Sequence, residues 1–549
     1  MSTESKSASG LPVEVVTEIF RWVDLPYSER LGRNGFIYRP NKYSEPSNPW
    51  LVSRWTLRNL CLVSRAFYPV ARNFLYRNII LLHAKDIVLL FRTLLEEGGA
   101  NGQARHHHQD GLRTSIVSLA CLVTLFDEIA IRETAQAWDS IPYPRHSGPA
   151  DMTILSLSDL NIGRALYEEA AGFQTTPQRL FGALLALTTQ LQTITLQCPW
   201  NLPDTEGYMA LDRVIRSMRR APEIGDHVLP RLTMLAVQPP EHAIGTRVRD
   251  GPNLFASLLE LPSLTTLVAL VSIGPMHIDE FADAGEGAGA GEGAGDRSSG
   301  PSLALESVTL HGSRSLQAEL QNYAALCPRL RHLALFCLPR HLRVLDGALR
   351  PVAARLESLV LRFASREPDH NPQHHRHHHP RGGAAGAAIL YHLHDLGDRR
   401  VTSLRDGDGD GNGNGDHFFS RLRALTVEDR FLFRDAAEME RVGLARRLPA
   451  SLVSLVLVEG WAPGAGAGAA WSAREHLGSV FRAVNYASSQ VPESLPLLRS
   501  FVLDRRPQSH LWRSAAAAEA NEEFRRLYPA LREAFASSTR VRLAILDPL

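Results

Sequence analysis

Lysine is nearly missing from this chain. Of its 59 lysine and arginine residues, only Lys6, Lys42 and Lys85 are lysine. None of the three follows a glycine, so the glycine–lysine pair of a phosphate-cradling P-loop is excluded. Cysteine is sparse as well. Cys61, Cys121, Cys198, Cys327 and Cys337 are odd in number, far apart and never in a C-x-x-C pair. That spacing argues against a disulfide framework or a cysteine zinc site, and for a reducing compartment. An excess of one charge is also absent. With 59 basic and 58 acidic residues the net charge is +1, so no global field draws in nucleic acid or an acidic membrane. The longest apolar run, Ile116 to Phe126, is too short to span a bilayer and runs into Asp127 and Glu128. The opening MSTESKSASG is polar and carries no apolar signal-peptide core. Metalloprotease H-E-x-x-H and nucleophile-elbow G-x-S-x-G patterns do not occur. These absences predict a soluble protein of the cytoplasm and/or nucleus, with no membrane, nucleic acid, cofactor or metal partner.

What is present begins near the N-terminus. Pro12 suits the first turn of a helix, where a missing N–H costs nothing. Val16, Ile19, Phe20 and Val23 follow at i, i+3, i+4 and i+7, one apolar stripe on a helix. After Leu25 to Trp55, which holds Pro26, Pro40, Pro46 and Pro49, the pattern resumes. Leu57, Leu60 and Cys61 make a short stripe; Phe67, Val70, Ala71, Phe74 and Leu75 make a longer one. Three short amphipathic helices form only a small core, so the segment needs a partner or a following domain to cover its remaining apolar surface.

The ordered set Leu11-Pro12-x-Glu14, Ile19-Phe20, Leu60-x-x-Val63-Ser64-x-x-Phe67, Ala71 and Leu75-Tyr76 resembles an F-box. The resemblance covers residues 11–81 and departs from the family at 25–55, where a short loop is usual. It implies a three-helix module that docks on the Skp-type adaptor of a cullin–RING ubiquitin ligase. The residues it marks for adaptor binding are Leu11, Pro12, Glu14, Ile19, Phe20, Leu60, Val63, Ser64, Phe67 and Leu75. Some of these must form the module's own core instead, and sequence does not separate the two roles.

Beyond residue 81 a short unit of the form L-x-x-L-x-L recurs. Strong copies start at Leu191, Leu232, Leu264, Leu305, Leu330, Leu356, Leu422, Leu452 and Leu498; weaker ones span Val117–Leu122, Ile154–Leu160 and Val541–Leu546. Ile79 to Leu81 also reads as a strand, and Asp86 to Glu96 as a helix with Asp86 at its N-cap. Pro230, Pro262, Pro328, Pro449 and Pro496 stand before five of the strong copies, where a proline ends a helix and starts an extended segment. The expected fold is therefore an α/β repeat: an N-terminal three-helix F-box followed by an irregular leucine-rich-repeat-like solenoid at 82–549. An ordinary α/β sheet, whose buried strands also read as short apolar runs, is the competing reading.

Residues 1–10 and five inserts, near 98–111, 283–300, 369–388, 405–416 and 462–470, are too polar or too rich in Gly and Ala to bury a core. They are expected to be disordered decorations. Two invite a metal reading. Asp406-x-Asp408-x-Asp410-Gly411 matches the first half of a calcium loop, but its twelfth position is His417 rather than a bidentate Glu. His370, His374, His375 and His377 to His379 lack the preorganised, usually cysteine-containing set of a structural zinc site.

The function expected is a non-catalytic substrate receptor of an SCF-type ligase, holding the Skp-type adaptor at one end and an unidentified protein substrate at the other. A ligase-independent interaction scaffold and a cryptic enzyme using the acidic or histidine loops are the alternatives. Codon bias is the first explanation of the missing lysines. A receptor that thereby offers few sites for self-ubiquitination is the second.

Overall fold

The computed structural model describes residues 12–24, 49–65, 67–99, 112–123, 177–197, 215–216, 219, 229–238, 256–269, 302–311, 316–337, 344–363, 419–432, 448–458, 495–504, 522, 525–526, 528–530, 532–533, 536 and 541–546. Leu11, the weak strand at Ile154–Leu160, residues 1–10 and the inserts at 283–300, 369–388, 405–416 and 462–470 lie outside them, as do residues 25–48 and most of 98–111. The chain divides into two compact units, Met1–Leu305 and Glu306–Leu549.

The first unit opens with helices α1 (Val13–Val23), α2 (Pro49–Val63) and α3 (Tyr68–Arg77). Strand β1 (Asn78–Leu81), α4 (Ala84–Gly99), α5 (Leu112–Ser115) and β2 (Ser118–Cys121) follow. A helix over Pro177–Leu187, β3 (Thr193–Gln197), β4 (Met234–Gln238), a short helix over Ala256–Leu259 and β5 (Thr266–Ala269) complete it. Its strands pair in chain order and in parallel, with Ile79, Leu119, Ile194, Leu235 and Leu267 in one row. The second unit holds β6 (Ser307–His311), β7 (His332–Cys337), β8 (Ser358–Phe363), β9 (Ala424–Glu428), β10 (Ser454–Val458), β11 (Ser500–Asp504) and β12 (Arg542–Leu546), again parallel and in chain order. Helices over Leu316–Leu326, Leu345–Ala353 and Asp429–Leu432 lie between its strands in the chain.

The expected fold class is corrected here. The chain is an α/β protein with twelve strands, every described pairing parallel, and ten helices among the described residues. It is not a helical F-box followed by a leucine-rich-repeat solenoid. The helical segment does not stand apart from the sheet, because its last residues, Asn78–Leu81, are β1 and pair with β2. The physical reason is that apolar periodicity reports which side chains are buried, and a parallel sheet and a stacked repeat bury the same short runs.

The strong copies at Leu191, Leu232, Leu264, Leu330, Leu356, Leu422, Leu452 and Leu498 share a local build. The first leucine of each is buried before the strand begins, as in Leu330, Leu356, Leu422 and Leu452, each 0% exposed. Its N–H closes a turn onto the carbonyl three residues back: Leu232 onto Leu229 at 3.1 Å, Leu264 onto Leu261 at 3.1 Å, Leu330 onto Cys327 at 3.2 Å and Leu498 onto Leu495 at 3.1 Å. Pro230, Pro262, Pro328 and Pro496 occupy the second position of these turns, where a fixed φ is favourable. Proline here turns the chain into the strand. Asp86 also differs from expectation. It sits in the first turn of α4, and its Oδ2 accepts from the N–H groups of Leu82 (3.0 Å) and His83 (2.9 Å), reaching back as in a capping box.

Candidate functional site

Helices α1, α2 and α3 close on a small core of Val16, Phe20, Leu57, Ala71 and Phe74, against which Val23, Leu60, Cys61, Phe67, Val70 and Leu75 pack. Phe20 is its centre. Its ring meets Phe67 edge-on at 5.8 Å and Phe74 at 6.3 Å, the arrangement that aligns ring edges with ring faces. Cys61 packs against this core, and burial pushes its thiol up while Arg72 opposes that push.

A buried polar knot ties the helices together. Asp24, the residue ending α1, forms an ion pair with Arg54 of α2, and the side chains are 4% and 11% exposed. The Asn78 side-chain amide of β1 donates to the same carboxylate at 3.3 and 3.4 Å. Arg54 Nη1 also donates to the carbonyls of Phe74 (2.9 Å) and Leu75 (3.0 Å), two of the carbonyls left open near the end of α3. Burial pulls the Arg54 guanidinium down and Asp24 opposes that pull. Ser53 Oγ donates to the Val23 carbonyl at 2.6 Å. Sequence reading missed this knot because Ser53 and Arg54 lie inside the stretch taken as an insertion. In the structure α2 already starts at Pro49. The signal was an arginine with no acidic partner at helical spacing.

The marked residues therefore separate. Phe20 is 2% exposed at the centre of the core, and Leu60, Phe67 and Leu75 pack on it. Pro12 and Glu14 are exposed at the start of α1, where Val15 and Val16 donate to the Pro12 carbonyl. Ser64 is half-buried, and its carbonyl accepts from Phe67 and Tyr68 as α3 begins. Ile19 is 47% and Val63 71% exposed, so Ile19 leaves the core stripe on which the spacing put it. Other exposed apolar side chains of α1 and α2 were not marked by the motif: Trp22 at 81%, Trp55 at 66% and Leu62 at 78% exposure. Val15, Ile19 and Trp22 form a second stripe on α1, and Val52, Trp55 and Leu62 one on α2. Of the twelve exposed large apolar residues among those described, nine lie between Val13 and Tyr68. Concentration of this kind marks an interaction surface rather than scattered solvent-facing leucines.

Among the described residues no group of three or more His, Cys, Asp or Glu is placed to hold a metal ion. The Asp406–Asp410 tract and the histidine run lie outside them. Cys327 and Cys337 are buried, with thiols pushed up to about 12 mainly by that burial. Among the described residues no helix is long and apolar enough to cross a membrane. No protein-family model matches the chain, and no curated protein matches it.

Proposed function

We propose that this chain is a non-catalytic receptor subunit of an SCF-type ubiquitin ligase, acting in the cytoplasm and/or nucleus. Helices α1–α3 dock the Skp-type adaptor, and the sheet-bearing remainder holds a protein substrate. The observation that carries the reading is the exposed apolar set on α1 and α2, with Ile19, Trp22, Trp55, Leu62 and Val63, over a core that is already closed beneath it. Side chains not needed for the module's own packing are free to be buried by a partner. The resemblance of residues 11–81 to an F-box names that partner. Such a subunit breaks no bond itself. It raises the effective concentration of a substrate lysine near the charged ubiquitin-conjugating enzyme.

The test is capture of purified Skp-type adaptor by the full chain. Wild type is expected to bind, and Trp22→Ala/Trp55→Ala and Leu11→Ala/Pro12→Ala to lose capture while keeping the wild-type melting temperature. A folded wild-type chain that captures no adaptor would overturn the receptor reading and leave a ligase-independent scaffold.

A further inference from the structure

The second unit has a charged rim that only the strand register reveals. Glu306, Arg331, Glu357, Arg423, Val453 and Arg499 immediately precede β6 to β11. They are joined sideways into one row: Arg331 N–H donates to the Glu306 carbonyl at 2.9 Å, and Glu357 to Arg331 at 2.8 Å. Arg423 donates to Glu357 at 2.9 Å, Val453 to Arg423 at 2.8 Å and Arg499 to Val453 at 2.8 Å. Arg542, at the start of β12, donates to the Arg499 carbonyl at 2.8 Å. Arg329 and Arg421 stand two residues before Arg331 and Arg423. Arg329, Arg331, Arg421, Arg423, Arg499 and Arg542 are all exposed. Among the described residues only Arg331 of these has a carboxylate partner, Glu357 at 3.5 Å, and that pair is open to water.

The equivalent row of the first unit is Arg77, Val117, Gln192, Thr233 and Thr265, linked by the same sideways hydrogen bonds. Its one charged member is Arg77, and the next four are neutral, so the fold itself does not demand arginine at these positions. Arginine's planar fork pairs with two oxygens of an oxyanion at once.

We infer that this rim binds an acidic polypeptide segment laid across the amino-terminal ends of β7 to β12. Arg331, Arg423 and Arg499 precede alternate strands, so their backbones stand about 9.6 Å apart at about 4.8 Å per strand. In a polyproline II segment every third residue returns to the same face about 9.3 Å further on. Carboxylates at every third residue match the arginines in step. Glu357 and Val453 fall between them and face the peptide's other side chains. A nucleic acid fits less well, because its unbroken line of phosphates would meet Glu306 and Glu357, and the row offers no aromatic ring on which bases stack. The inference deepens the receptor reading by naming its substrate class, and it rests on that reading only for calling the segment a substrate.

The experiment is fluorescence anisotropy with the full chain and a labelled peptide carrying aspartate at every third residue. Controls are the asparagine version, a version with aspartate at every second residue, and a single-stranded oligonucleotide. The spaced aspartate peptide is expected to bind tightest, and to weaken as salt screens exposed charges. Arg423→Gln/Arg499→Gln should weaken it about tenfold, and Arg423→Glu/Arg499→Glu should instead bind a lysine version. Adaptor capture by these variants stays at the wild-type level, so failure at the rim and failure of the receptor reading are told apart. Equal binding of the aspartate and asparagine peptides, an unchanged affinity in the glutamine variant, or tighter binding of the oligonucleotide would each overturn the inference.

Discussion

At the scale of single residues, Arg54 is the side chain whose loss is costliest to argue away. Replacing it by methionine leaves the Asp24 carboxylate buried with only Asn78 beside it, and reopens the Phe74 and Leu75 carbonyls. Breaking a buried pair from one side costs about 3–5 kcal/mol. Urea unfolding followed by tryptophan fluorescence should show that loss for Arg54→Met, and a smaller one for Asp24→Asn/Arg54→Met, because the uncompensated charge is then gone. Equal losses in the two variants would mean that packing, not charge, dominates. His311 sets a pH dependence. It is stacked on Phe336 at 5.1 Å, and burial holds its imidazole down at about 4 against an ordinary 6.5. Between those values the unfolded chain binds a proton that the folded chain refuses, so stability falls as pH drops from 6.5 toward 4. The expected loss is on the order of 2 kcal/mol between pH 7.5 and pH 5, and His311→Phe should flatten that slope.

At the scale of elements, α1 carries two apolar stripes with different duties, and substitution separates them. Phe20→Ala empties the centre of the three-helix core and should cost about 3–5 kcal/mol. Trp22→Ala, on a side chain 81% exposed, should stay within about 0.5 kcal/mol of wild type. Thermal melts of the two variants check the contrast. Strand positions were legible almost to the residue. Nine of the twelve described strands lie within or one residue beyond an L-x-x-L-x-L-like run, and Asn78–Leu81, His332–Cys337 and Ser358–Phe363 sit close to one, because alternation of buried leucines directly reports a strand. The helix expected at Asp86 to Glu96 was legible from its flanking signals, and α4 spans it. Fold class was not. The register that joins Glu306 to Arg499 and the pairing of β1 with β2 are made by backbone groups, which every residue carries alike. Of the candidate site, the core residues Phe20, Leu57 and Phe74 could be read from spacing. The outward turn of Ile19 could not, because a helix apolar on two sides does not announce which side is covered.

At the scale of the whole molecule, the shortage of lysine becomes a property of turnover once the chain is read as a ligase subunit. Lys85 is exposed on α4 and is the one lysine among the described residues. Arg350→Lys/Arg526→Lys replaces two exposed arginines with charge retained, and should shorten the cellular half-life measured after translation is blocked. An unchanged half-life would leave codon usage as the explanation. The clamp between the end of α1 and the start of α2 has a practical consequence. Val23 and Asp24 are held to Ser53 and Arg54 by side-chain bonds, so the intervening chain has both ends pinned side by side. Closing such a loop costs only about 0.6 kcal/mol more for each doubling of its length. The junction is therefore a natural port for grafting, where an epitope or a small fluorescent domain could be spliced in while the three helices keep their packing.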